Sequence, residues 1–176
     1  MRWLLIVVRL ATEPSRPRVA VWRELRKVGA LSLGQGVWAM PDVPAFAAGS
    51  ARAIELTEAA GGSATVLEAS GRTPADAGQL AAMFDAARAE EWSEFLGDCG
   101  KYEAELAKEI AIGKLTLAEL EEEEQSLERL RRWHRDLSVR DVFGTAEGRQ
   151  AAERLKACAA GLEDYTNRVF AALHQT

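Results

Sequence analysis

Glu123 and His134 are the residues whose types and placement come nearest to metal chemistry. They fall in ELEEEEQSLERLRRWHRDL, Glu119 to Leu137, which opens with five glutamates in six positions and turns basic at Arg131, Arg132, His134 and Arg135. At 100° per residue, with Leu127 at 0°, the apolar stripe of this segment holds Leu120, Leu130, Trp133 and Leu137. Glu123 and His134 project into the same arc. Eleven residues of helix set the two about 16 Å apart, so each needs its own partner from a neighbouring helix. The preceding helix offers Tyr102, Glu103 and Glu109. A Glu/Glu/His metal cluster therefore competes with a hydrogen-bonded core histidine and an interhelical salt bridge. Paired Glu-x-x-His motifs are absent, so the structural reading is preferred and neither a metal nor a cofactor is expected. Helix physics accounts for most of the remaining charge. Acids early and bases late suit the helix dipole by about 0.3–1 kcal/mol per well-placed charge, and Glu128 attracts Arg131 and Arg132.

The second chemistry open to this chain is anion binding. Its net charge is −5, yet residues 1–30 hold seven Lys/Arg against two acids, a local +5, which leaves −10 for the rest. Any anion-binding surface is thus expected in the first thirty residues. On a helix after Pro14 and Pro17, Val21, Trp22, Leu25 and Val28 share one face, read as the packed one. Arg16, Arg23 and Lys27 gather on the opposite face, with Arg18 and Arg26 at its margins. Arg9, Arg16 and Arg18 flank the start of that helix. Such an array suits DNA phosphates, or a tetrahedral oxyanion held by guanidinium forks and helix amino-terminal N–H groups. The competing reading is an ordinary solvated helix face.

Catalysis is not expected. No G-x-S-x-G, P-loop, H-E-x-x-H or nucleotide fingerprint appears, and His134 and His174 are the only histidines. Cys99 and Cys158 have no metal-ligand spacing and lie on helical packing seams, which favours buried, inert thiols over redox sensing.

The elements that must position these residues fall into two halves. Trp3 to Val8 is a continuous apolar run, as expected of a buried central strand and too short for a signal-peptide core or a bilayer span. The helix that follows ends at Gly29. LSLGQGVWAMP reads as two short strands around Gly34-Gln35-Gly36, a second helix runs from roughly Val43 to Ala60, and Ala64 to Ala69 forms a fourth strand. The order β-α-β-β-α-β is a ferredoxin-like, split βαβ arrangement over residues 1–72, with both helices on one sheet face. Residues 73–176 have only helical periods. Trp92, Phe95, Cys99, Tyr102, Leu106 and Ile110 form one seam, with Gly97 and Gly100 as the place for a kink or break, and Gly113 closes it. Thr116 and Glu119 make a T-x-x-E capping box, and Leu155, Cys158, Leu162, Tyr165, Val169 and Leu173 form the last seam. The class is α+β, a ferredoxin-like half followed by antiparallel helices. Small ferredoxin-like domains also occur in a CRISPR-associated nuclease subunit with an acid at the end of its first strand. That place here holds Arg9-Leu10-Ala11-Thr12, so a magnesium-dependent nuclease is disfavoured.

Three segments carry a family resemblance: MRWLLIVVRLATEPSRPRVAVWRELRKVGALSLGQGVWAMP, AEEWSEFLGDCGKYEAEL and ELEEEEQSLERLRRWHRDLSVRDVFG. Together they resemble the amino-terminal domain of the ChrB chromate-resistance family, over nearly the whole chain. The W-x-x-L…G…G-V-W pattern is remotely similar to the middle domain of PaaX-type repressors. The resemblance implies a cytoplasmic, chromate-responsive regulator of a resistance operon that includes an efflux transporter. Full-length ChrB proteins continue into a second domain, and PaaX-type repressors carry a winged helix ahead of the related region. Neither is present in this sequence. The expected partners are operator DNA or chromate, met through Arg9, Arg16, Arg18, Arg23 and Lys27, with the Leu31–Met40 hairpin as a wing if the first helix reads DNA. A homodimer without a membrane partner is expected. The alternatives are an interaction or dimerisation module that does not bind DNA, and an oxyanion-binding accessory protein.

Overall fold

A computed structural model of the chain describes residues 1–174. It divides into two compact units, the first Met1–Ala87 and the second beginning at Arg88. The first unit contains β1 (Trp3–Arg9), α1 (Ser15–Val28), β2 (Leu31–Gly34), β3 (Val37–Pro41), a single 3-10 turn (Pro44–Phe46), α2 (Ala47–Ala59) and β4 (Ser63–Ala69). Spatially the strands run β2-β3-β1-β4, with every neighbouring pair antiparallel. The class is thus α+β. β3 is inserted between β1 and β2, the split arrangement that the chain order β-α-β-β-α-β called for.

Register explains the apolar run of β1. Leu4 and Ile6 stand opposite Met40 and Trp38 on one face, while Trp3, Leu5 and Val7 stand opposite Pro41, Ala39 and Val37 on the other. Trp3, Ile6, Trp38, Ala39 and Met40 are all buried, so this pair of strands is buried from both sides. Gly36, at φ +78°, ends the hairpin turn at a point where an added Cβ would overlap the Val8 carbonyl oxygen. Its own carbonyl accepts from Val8 N–H at 2.8 Å, so the turn is stitched to the end of β1 and to the residues beside Arg9. β4 lies at the sheet edge, and its Val66 and Leu67 are 43% and 49% exposed.

α1 packs against α2. Their approach is close enough that a Cβ at Gly49 would collide with Val28. α1 buries Val21 and Leu25, but Trp22 is 51% exposed, which corrects its expected place in the packed face. Trp22 lies about 80° around the helix from the middle of the Val21–Leu25 stripe, and the Arg26 guanidinium lies 5.3 Å over its ring.

α3 (Pro74–Ala111) is one helix of 38 residues, so Gly97 and Gly100 neither break it nor mark a contact too close for a side chain. Thr73 and Asp76 cap it reciprocally: Asp76 N–H donates to Thr73 Oγ1 at 3.2 Å and Thr73 N–H to the Asp76 carboxylate at 3.0 Å. Its opening turns belong to the first unit because Phe84 sits edge-on to Trp3 at 5.7 Å and to Phe46 at 6.0 Å. The helical region therefore starts at Pro74 as an element, whereas the compact unit starts at Arg88.

The second unit is the rest of α3 with α4 (Leu117–Arg140) and α5 (Ala146–His174). Its core unites Trp92, Phe95, Cys99, Tyr102 and Leu106 of α3 with Leu120, Leu127, Leu130 and Leu137 of α4, and with Cys158, Tyr165 and Val169 of α5. The two long seams are as the 3-4 spacing required, apart from Leu173, which is 43% exposed. Glu119 N–H donates to Thr116 Oγ1 at 3.3 Å to cap α4, but the Glu119 carboxylate turns away to Lys114 Nζ at 2.8 Å. Asp141 braces the α4–α5 turn, accepting from Trp92 Nε1 at 2.8 Å and from the Thr145 hydroxyl at 2.8 Å.

Candidate functional site

Arg9 closes β1 and Arg18 opens the second turn of α1, and they meet at one cleft of about 560 Å³ in the first unit. Trp22 and Trp38 supply its aromatic surface, and Ser32, Gln35 and Gly36 of the hairpin its polar one. The hairpin stitch to Val8 fixes the far wall. Arg16, Arg23 and Lys27 are exposed but lie outside this cleft, further round α1. In angular order the exposed side of α1 reads Arg18, Trp22, Ser15, Arg26, Val19, Arg23, Arg16, Lys27, a half-turn that is mostly cationic, with one indole and Val19 among the cations. The structure thus separates the expected residues into a cleft pair, Arg9 and Arg18, and a helix-face group, Arg16, Arg23 and Lys27.

No carboxylate among the described residues comes within ion-pair distance of Arg9, Arg16, Arg18, Arg23 or Arg26; Arg2, elsewhere in the unit, pairs with Asp42 and Glu68. The helix end contributes less than expected. Pro14 at the N-cap has no side-chain acceptor and, like Pro17, no N–H, so only Ser15 and Arg16 keep unsatisfied amino-terminal donors. Guanidinium groups must therefore supply most of the attraction for an anion. Arg26 and Lys27 also sit in the last turn, where they favour the helix dipole.

Glu123 and His134 end up in separate surroundings. Glu123 is 6% exposed and lines a second cleft, between α3 and α4. Burial, and then the fields of Glu105, Glu122, Glu109 and Glu119, raise its carboxyl above the usual range. His134 lies against the rings of Trp92 at 5.2 Å and Phe95 at 5.6 Å. Its Nδ1 is 3.4 Å from Ser138 Oγ, and its Nε2 is buried without a hydrogen-bond partner. Burial lowers its pKa. The partner that the sequence required of a neighbouring helix is aromatic for His134. Among the described residues no three His, Cys, Asp or Glu side chains are grouped to hold a metal ion.

Cys99 and Cys158 are fully buried and face each other across α3 and α5, with Cys158 Sγ 3.8 Å from the Cys99 carbonyl. The thiol contact with Cys158, reinforced by burial, pushes the Cys99 thiol up, away from the reactive thiolate. The acidic α3–α4 cleft is the feature that the sequence did not disclose. Its signal was Glu109, whose position near the α3 stripe was visible but whose burial at 3% exposure was not. No helix among the described residues is long and apolar enough to cross a membrane.

No curated protein and no solved structure matches the chain. The family model described as protein ChrB, N-terminal, matches residues 18–176, from Arg18 of the basic cleft through all three long helices, and the chain accordingly belongs to that chromate-resistance-related family.

Proposed function

We propose that the protein is a non-enzymatic, chromate-responsive regulator of a chromate-resistance operon and meets polyanions through the basic surface of α1. The observation that carries this reading is the absence of carboxylate partners for Arg9, Arg16, Arg18, Arg23 and Arg26 in a molecule with more acids than bases. Cations that the fold does not neutralise are available to phosphates, and each phosphate contact releases counterions. Trp22 adds a stacking surface within the same arc. Gel shifts with operon upstream DNA at two salt concentrations test it. Replacing Arg16 and Arg23 by Gln is expected to flatten the log–log salt dependence by about two units. A slope unchanged by both substitutions overturns the DNA reading.

A second reading, direct capture of chromate, is supported by the convergence of Arg9 and Arg18 on one cleft. Two guanidinium forks suit a tetrahedral dianion. Titration calorimetry with chromate, and with sulfate as competitor, should give saturable heat that Arg18→Gln abolishes. Absence of heat with either anion removes this reading and leaves the first standing. The dimerisation alternative is supported by the exposed apolar pair on β4, an edge strand whose backbone groups are open to pairing.

A further inference from the structure

The cleft between α3 and α4 belongs to the second unit and owes nothing to the basic surface of α1. It encloses about 610 Å³, within the range of small-molecule sites. Its lining carries six carboxylates and three cationic side chains. The cations are engaged locally: Lys101 with Asp98 at 2.6 Å, Lys114 with Glu119 at 2.8 Å, and Arg129 with the Ser126 hydroxyl at 2.7 Å. Glu123 has no such partner. It is 94% buried and faces the cleft, and none of the described side chains donates to its carboxylate; Tyr102 Oη donates instead to its backbone carbonyl at 3.2 Å. Beside it Glu109, 3% exposed, is ion-paired with Lys114 at 3.6 Å and Lys108 at 4.0 Å, although its Oε2 makes no hydrogen bond. Buried carboxylates normally have a partner, so it is Glu123, with no cation or donor of its own among the described residues, that a cation entering the cleft would satisfy.

The class of cation follows from the remaining lining. No three His, Cys, Asp or Glu side chains are arranged for a metal ion among the described residues. The aromatic and aliphatic surface of Tyr102, Leu130 and Trp133 suits the methylene body and the charge of an organic ammonium. The cleft is also long: its α4 wall runs from Glu119 to Trp133, about 21 Å of helix axis. We infer that the α3–α4 cleft binds a linear alkylammonium of the polyamine type, with Glu123 as the buried counter-ion and Glu122 at the rim. Burial and the surrounding carboxylates raise the free energy of an ionised Glu123, and an ammonium beside it would relieve it.

Spermidine is the probe, titrated calorimetrically into the whole protein at 150 mM NaCl. One saturable site is expected, weakened tenfold or more by Glu123→Gln, weakened less by Glu122→Gln, and unaffected by Glu58→Gln on α2. Glu123→Gln removes a desolvated charge and keeps the side-chain shape, and its thermal midpoint, together with the exposed Glu122→Gln variant, separates lost binding from lost folding. Four results overturn the inference: no saturable binding by the wild-type protein, equal affinity in wild type and Glu123→Gln, displacement by magnesium at concentrations equal to spermidine, or binding of a short arginine-rich peptide in place of spermidine. The last would assign the cleft to a basic protein partner.

Discussion

His134 shows what a single half-buried ring contributes to pH behaviour. Burial among Trp92 and Phe95 lowers its pKa in the folded protein below the ordinary 6.5. On acidification the unfolded chain therefore takes up a proton before the folded one does. The stability linked to this group is present above pH 6.5 and is lost as the pH falls from there toward the folded-state pKa. The limiting slope for one proton is about 1.4 kcal/mol per pH unit. His134→Phe, which keeps the aromatic packing, is expected to flatten the urea-midpoint profile between pH 7 and 5; a profile as steep as that of the wild type would refute this role. The apolar arc of α4 made the inward placement of Glu123 and His134 legible in the sequence. What each meets depends on the helix across from it, and spacing within α4 carries no information about that helix. The same limit applies to Trp22, since an indole beside a packed stripe has the same pattern whether buried or exposed.

At the scale of elements, the α1–α2 pair is a close junction. Gly49 allows Val28 to lie where a Cβ would otherwise be. Gly49→Ala is expected to cost about 1–3 kcal/mol through overpacking. Combining it with Val28→Ala should recover at least half of that cost, giving a favourable coupling in a double-mutant cycle of urea melts. Additive losses would show that the two helices adjust freely and that the close approach has no energetic role. The order of elements was readable from the sequence because strong punctuation coincides with changes of period: Gly29 after α1, Gly61-Gly62 before β4, Thr73-Pro74 before α3. The continuity of α3 was less so. Gly97 and Gly100 each cost a helix roughly 1 kcal/mol relative to Ala, yet between them Cys99, and after them Tyr102, are buried in the core of the second unit. Packing outweighs propensity there, and packing depends on residues from α4 and α5 that a local window does not contain. The capping box at Thr116 was half legible for a related reason: Lys114, three residues before Leu117, competes for the Glu119 carboxylate.

For the molecule as a whole, the division of charge stated by the sequence survives folding in a specific form. The cations of residues 1–30 lie mainly on the exposed side of α1, and the acids include a cluster gathered at the α3–α4 cleft. The boundary between compact units was not legible, because Phe84 packs on Trp3 and Phe46 across a long stretch of sequence. The edge strand bears on assembly. If β4 pairs with β4 of a second copy, light scattering should show the mass rising with concentration toward twice 19.2 kDa, and the double substitution Val66→Lys, Leu67→Lys should hold the protein at the monomer mass, since charged edges resist pairing. A dimer that persists in that variant would place the contact elsewhere.

The exposed indole of Trp22 has an optical consequence. Trp3, Trp38 and Trp92 are 5% exposed or less, and Trp133 is only partly exposed, whereas half of Trp22 is in water beside Arg18 and Arg26. Its emission is expected at the long-wavelength edge of the spectrum, with the enclosed tryptophans further to the blue. Trp38 lines the same cleft but is already 5% exposed, so a molecule settling between Arg9 and Arg18 would displace water chiefly from Trp22, and a blue shift of its emission would be the expected sign of occupation.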